Sequence, residues 1–310
     1  MKLREAVQRA LVERGHPVIV EYELFRLLWQ LHAAGEYAGN RLRVARRPPD
    51  RTRYRNIVAA LLRDRYLRPD PDFYPPDTWS GVGYNYIRVF RVSDVPDGTA
   101  EEITALLDPF CYISHLSAMQ RYSLTNRIPA ALNLSTPKNW QSYRNAKVEA
   151  DYGSLEPGTY IAPLSQLTWP EEIRRRVVSL HKTVRAPETR TVRGNVARIA
   201  TIGETFVQTL DRPELCGGMS HVIEVWDQHA PVFTEEIIAA VEHAEESIIK
   251  VRAGYLLEER LGLTDSRILA WTSFAQRGGS RKLDARAPYV PRFSEKWMIS
   301  LNAANTDSPD

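Results

Sequence analysis

Between Arg41 and Arg65 nine arginines crowd the stretch RLRVARRPPDRTRYRNIVAALLRDR. So many guanidinium groups cannot share an interior, yet Tyr54, Ile57, Val58, Leu61 and Leu62 recur at helical spacing among them. The stretch is therefore constrained to a surface helix with one apolar face turned to a core. Asp50 stands where an N-cap belongs, and Pro48-Pro49 keeps the chain extended before it, so the helix is expected over about 50–66. Arg51, Thr52, Arg53, Arg55 and Asn56 then fall mostly off the stripe, near the N-terminal end. Helices that enter a DNA major groove carry their base-reading side chains there, which makes a recognition helix the expectation.

Charge supports a division of labour along the chain. Residues 1–95 carry 17 Lys and Arg against 11 Asp and Glu, a balance of +6, whereas the remaining 215 residues carry −3. A basic first third joined to a slightly acidic remainder suits a module that meets an anionic partner and a second that need not. The N-terminus, MKLREAVQRALVERG, lacks the apolar core of a signal peptide, and no apolar run approaches a membrane span. Cys111 and Cys216 lie far apart and suit reduced thiols, so the expected location is the cytoplasm, with no membrane partner.

The helices before the arginine-rich one are expected at 2–14, with Leu3, Ala6, Val7, Ala10 and Leu11 on one face, and at about 21–34, with Leu24, Leu27, Leu28 and Leu31 aligned. After it, Tyr84 to Val92 alternates as a strand behind a Pro- and Asp-rich loop. Three helices, a loop and a strand follow the order of a winged helix; a three-helix bundle with a stray hairpin competes. The connection from Gly35 to Pro49 is long for a helix-turn-helix and has room for a short strand, Arg41 to Ala45. Val95 to Gly98 reads as a linker.

Beyond it, helices are expected at 100–107, from about 115, and at 201–210 and 219–226. A single long one is expected at 234–251, continuing at 254–261. Strands are expected at 131–135, 158–163, 196–200 and 295–301. Interleaved strands and helices make this part α/β. The organisation expected is thus α/β overall: an N-terminal winged helix-turn-helix domain (1–95), a larger mixed α/β domain (96–302), and a polar disordered tail (303–310).

For DNA contact, Arg51, Arg53 and Arg55 are rigid forks that match guanine edges or phosphates, and Asn56 matches adenine. Arg41, Arg43, Arg46, Arg47, Arg88 and Arg91 are assigned as phosphate clamps, with Thr52, Tyr84 and Tyr86 completing the surface. Enzyme signatures fare poorly: no Walker loop, dinucleotide fingerprint, H-E-x-x-H or G-x-S-x-G occurs, and the seven histidines show no metal spacing with the cysteines. No catalytic residue, metal or cofactor is expected. Gly217-Gly218 reads as a break after a helix end, and Glu204 as a capping acid.

Two stretches resemble the antitoxins of AbiE-type (type IV) toxin–antitoxin systems, a family of transcriptional regulators. The first is YISHLSAM (112–119) with LTNRIP (124–129); the second, VARIATIGETFVQTLDRPELCGG (196–218), is similar to the family's strand, helix start and Asp-Arg-Pro…Gly-Gly turn. Arg252-Ala253-Gly254-Tyr255-Leu256-Leu257 resembles a later helix. Thr205-Phe206 and Gln208 depart from the usual pattern. The resemblance implies a repressor that binds inverted repeats in its own promoter, double-stranded DNA being the partner. It also implies a C-terminal domain that counters a nucleotidyltransferase toxin in phage defence without a stable complex. The alternative is a DNA-processing enzyme, a nuclease or nucleotidyltransferase working through carboxylates of the α/β domain.

Overall fold

The apolar spacing at the N-terminus does fold as a helix. In the computed structural model, which describes all residues except 45–46, 75–86, 157, 277–280 and 304–310, α1 (Leu3–Arg14) buries Leu3, Ala6, Val7, Ala10 and Leu11. It ends at Gly15 in the left-handed region, where a Cβ would be strained. After β1 (Val18–Val20), α2 (Glu21–Ala34) buries Tyr22, Leu24, Phe25, Leu27, Leu28 and Leu31. The architecture overall is mixed α/β.

The long connection after Gly35 is explained by a hairpin. β2 (Glu36–Tyr37) and β3 (Asn40–Arg41) pair antiparallel around Ala38-Gly39, both at positive φ, as a two-residue hairpin turn requires. The strand expected from Arg41 to Ala45 is therefore displaced: it ends at Arg41, and Arg43 makes only an isolated bridge to Lys2. The arginine-rich helix, α3 (Arg51–Arg63), starts at Asp50, whose carboxylate accepts the Arg53 N–H at 2.8 Å. That cap is worth about 1 kcal/mol. Tyr54, Val58, Leu61 and Leu62 are buried, and Tyr54 packs edge-on against Phe25 of α2, 5.5 Å between centroids.

β4 (Leu67–Pro69) and β5 (Val89–Val92) complete an antiparallel sheet ordered β1-β5-β4, with Ile19 opposite Phe90 and Arg68 opposite Arg91. Of the strand expected over Tyr84–Val92, β5 takes up Val89–Val92, while Ile87 and Arg88 are irregular. All four residues of β5 are buried, so period-2 patterning is not expressed there. Tyr84 and Tyr86 lie outside the described residues. A capping box formed by Thr99 and Glu102 opens α4 (Ala100–Leu107).

The elements continue with β6 (Tyr112–Ile113), α5 (His115–Arg121), β7 (Leu132–Pro137), α6 (Trp140–Tyr152), β8 (Glu172–Ile173) and β9 (Arg176–Thr183). They are followed by β10 (Thr189–Thr191), β11 (Arg198–Ala200), α7 (Ile202–Asp211), α8 (Met219–His229), α9 (Thr234–Glu242) and α10 (Ser247–Gly254). A π-helical turn (Tyr255–Arg260), α11 (Ser266–Ala270), β12 (Phe293–Ser294) and β13 (Ile299–Ser300) close the described chain. The chain divides into two compact units. One is Met1–Cys111 with Thr136–Val178 and Arg193–Ala197; the other is Tyr112–Ser135 with Ser179–Val192 and Arg198–Asp310.

In the first unit α1 packs on α2 and α3. The segment 158–163, expected as a strand, is irregular; it is anchored instead by Tyr160, whose ring meets Phe25 edge-on at 5.3 Å. The β8–β9 hairpin turns at Arg174-Arg175, both at positive φ.

In the second unit β10, β11, β6 and β7 lie side by side, with β11 parallel to β6 through Ile199 and Ile113. Its core gathers Phe206, Leu210, Trp226, Ile237, Val241, Leu256 and Trp297. Gly203 permits a close crossing of α7 and α9, because a Cβ there would lie 2.0 Å from the Glu236 carbonyl oxygen.

The single helix expected over 234–251 is broken between Glu242 and Ser247. The His243 ring donates from Nδ1 to the Ala239 carbonyl at 2.7 Å, taking the acceptor that the next helical turn would use. The final strand expected over 295–301 is a hairpin instead: β12 and β13 pair around Glu295–Met298. Asn302 and Ala303 are described, while 304–310 of the expected tail lie outside the described residues.

Candidate nucleic-acid interface

The α3 cap determines which side chains the helix offers. With Asp50 holding the first turn, Arg51, Thr52, Arg55 and Asn56 are exposed, Arg53 is half-buried, and Tyr54 points into the core. Positions 51, 52, 55 and 56 share one outward face at i, i+4 spacing, opposite the buried 54–58–61 row. Arginine at three of the first five positions is unfavourable to the helix itself, since the N-terminal end of a helix dipole is positive. The helix itself therefore gains nothing from their charge, which remains available to an incoming anion.

Arg51, Arg55 and Asn56 also line a concavity of about 450 Å³ with Glu21, Ile87, Arg88 and Tyr160. Arg88 is held by an ion pair with Glu21. Burial pushes the Glu21 carboxyl above its ordinary range, and Arg88, Arg55 and Arg51 counteract that rise. Glu21 thus orients Arg88 and neutralises part of the local charge. The concavity has a polar floor, basic walls and one aromatic edge, and can take an anionic or hydrogen-bonding group of moderate size.

Of the expected phosphate clamps, Arg41, Arg43 and Arg47 are exposed. The main-chain oxygen of Arg41 accepts from the N-terminal ammonium at 3.0 Å, and the Arg43 N–H donates to the Met1 carbonyl at 2.9 Å, so their backbone is pinned to the start of α1. Arg46 lies outside the described residues, as do Tyr84 and Tyr86. Arg91 must be corrected. It is 5% exposed, and its guanidinium donates to the carbonyls of Pro17 (2.6 Å), Val92 (2.8 Å) and Val95 (2.8 Å). Sitting in a four-residue strand buried on both faces, it satisfies main-chain acceptors rather than meeting phosphate.

Sequence reasoning missed Glu21 and Tyr160. Glu21 opens α2 at a position that reads as an ordinary first-turn acid, and Tyr160 lies in a segment read as a strand. Neither carries a local signal of its place beside α3; it arises from tertiary packing.

Glu204 must also be corrected. It does not cap α7; Arg185 grips it with both terminal nitrogens, one of them at 2.8 Å. Gly217 and Gly218 have φ of 93° and 90°, and a Cβ on Gly217 would lie 2.6 Å from His221 Nδ1, so both glycines serve the turn after α7. Cys111 and Cys216 are both buried, and burial pushes the Cys216 thiol up. Among the described residues no three His, Cys, Asp or Glu side chains converge as a metal site, and no helix is long and apolar enough to cross a membrane.

No family model and no curated protein matches the chain. Among solved structures, the chain is similar to the RV2827C protein from Mycobacterium tuberculosis. The two are 12% identical over 96% of this chain and 90% of that one, with a TM-score of 0.43.

Proposed function

We propose that the protein is a DNA-binding repressor of the winged-helix kind, with α3 as its recognition helix, and the antitoxin of a type IV toxin–antitoxin system that controls its own promoter. The observation that carries the DNA reading is the first turn and a half of α3. Its exposed face presents two arginines, a threonine and an asparagine, with Arg53 beside them, on a helix whose opposite face is fixed in a core. The order α1-β1-α2-β2-β3-α3-β4-β5 with the sheet order β1-β5-β4 supports the winged-helix reading. Arg41, Arg43 and Arg47 serve as phosphate contacts that set register, and Arg51, Arg53, Arg55 and Asn56 read base edges. The antitoxin assignment rests on the resemblance at 112–129 and 196–218. It makes the functional partner a nucleotidyltransferase toxin, opposed without a lasting complex.

The test is binding of the full chain to DNA from upstream of its own gene, measured by fluorescence anisotropy across a salt series. With four to six phosphates neutralised, log Kd should change with log salt at a slope of about 4 to 5. Random DNA of equal length should bind at least about 1,000-fold more weakly. Equal affinity for both DNAs would remove the repressor reading and leave only a basic surface.

A further inference from the structure

The second unit contains a polar cavity that the DNA reading does not use. Its volume is about 320 Å³, at the small end of the range for small-molecule sites of roughly 300–1,000 Å³. One wall is a single face of α7, where Glu204, Gln208 and Asp211 fall at i, i+4 and i+7. His115 and His181 form a second wall, their rings 5.0 Å apart and nearly perpendicular. Val184, Pro187, Val207 and Ile249 supply apolar surface.

Gln208 is the decisive group. It is 7% exposed, and its Oε1 accepts the His115 backbone N–H at 2.8 Å. A backbone N–H can only donate, so the amide oxygen must face it and the NH2 group must face away. That NH2, Gln208 Nε2, has no hydrogen-bond partner among the described residues. A buried donor left unpaired costs about 1–3 kcal/mol. His115 itself has φ of +51°, a strained conformation for a residue with a Cβ, and the Gln208 contact holds it there. A strained residue and an unpaired donor thus belong to residues lining the same cavity.

The histidines are fixed as neutral hydrogen-bonding rings. Ser135 Oγ donates to Ser114 Oγ at 2.8 Å, and His115 Nδ1 is hydrogen-bonded to the same Ser114 Oγ at 2.9 Å. His181 Nε2 is engaged by Asn133 Oδ1 at 3.0 Å and Ser179 Oγ at 3.3 Å. Burial favours the uncharged form of both rings. The lining cations are largely spoken for, Arg185 by Glu204 and Arg212 by Glu214, leaving Lys182 against Asp211, Glu245 and Glu246. An anion is therefore disfavoured. The fitting ligand is an uncharged flat ring with an acceptor for an amide N–H and a donor for a carboxylate on the same edge.

We propose that this cavity binds a nucleobase, presented as a nucleoside. A small turn of the Gln208 side chain brings Nε2 to the cavity wall, where it donates to a ring nitrogen or carbonyl of the base; Asp211 accepts from the base's amino or imino group, and the ring lies against His115 and His181. The volume admits one nucleoside and excludes a dinucleotide.

The experiment is calorimetric titration of the full chain with adenosine, guanosine, cytidine and uridine, each also tried as its 5′-monophosphate. One or more nucleosides should bind, and the monophosphate of that nucleoside should bind no more tightly. Gln208→Leu should weaken binding at least about tenfold. Should that variant fail to fold, Asp211→Asn, at the exposed end of the α7 row, should weaken the same nucleoside several-fold with an unchanged melting temperature. Absence of binding by all four nucleosides at about 5 mM, tighter binding of the monophosphate, or binding indifferent to the folded variants would overturn the proposal. Affinity for promoter DNA is a separate measurement and can fail or succeed independently.

Discussion

Arginine is used in opposite ways in two regions of the first unit. At the start of α3, Arg51 and Arg55 stand exposed on a helix end that repels them. Around β5 and the β8–β9 turn, Arg91 and Arg174 are withdrawn from solvent and fully engaged. Arg91 caps three main-chain carbonyls. Arg174 pairs with the fully buried Asp70 at 2.7 Å, with Asp97 at 2.9 Å, and with Asp72. Those partners hold the Arg174 guanidinium far more firmly protonated than usual against the opposing effect of burial. The same side chain is mortar in one place and an open hand in the other. The difference lies in what surrounds it rather than in the density of arginines nearby.

The largest effect expected from this contrast is on stability. Arg174→Ala would strand Asp70 as a buried charge without its partner, and should cost about 3–5 kcal/mol in urea denaturation. A loss below 1 kcal/mol would mean that the cluster is better hydrated than its burial indicates. Arg55→Ala should do the reverse: within about 0.5 kcal/mol of wild type in stability, yet about 1–3 kcal/mol weaker on its own promoter. If specific and random DNA lose equally, Arg55 touches phosphate only; if stability falls instead, the two regions are not distinct in kind.

A smaller effect extends the comparison to buried neutral groups. Burial, with His181 and Arg212 adding to it, holds the His115 pKa down to about 3. The unfolded chain takes up that proton near pH 6.5, so the native state keeps its full advantage above pH 6.5 and loses it as pH falls toward 3. The loss is about 1.4 kcal/mol per pH unit. His115→Gln should flatten the stability profile between pH 6.5 and 4.5 by that slope, and parallel profiles would refute a buried neutral imidazole.

What could be read from the chain depended on whether a feature declares itself locally. The 54–58–61 row and the Asp50 cap are written within a few residues of each other, and α3 forms nearly where they place it. The hairpin at 36–41 was hidden because its two-residue strands are too short to alternate. Alternation around β5 implies one wet face, which would make Arg91 a phosphate clamp, but all four residues of this strand are buried. The break after Glu242, where the His243 ring bonds the Ala239 carbonyl, leaves no mark in hydrophobic periodicity. The arginine surface of α3 was legible as a cluster in sequence. Gln208, His115 and His181 were not, since they come from three distant segments and look like ordinary polar residues until the fold joins them.

The first unit is threaded in three pieces, and this has a consequence for how the protein comes into being. Its closing piece, Arg193–Ala197, leaves the ribosome only after about two-thirds of the chain has been made. Domains ordinarily fold in the order of synthesis, the N-terminal one first. Here α3 can form early as a helix, but the unit that steadies it must wait for residues past 190. A growing chain thus cannot complete the unit that holds α3 until residues 112–135 and 179–192 of the second unit have also been made. A fragment cut at residue 95 would carry the arginines without the body that holds them still.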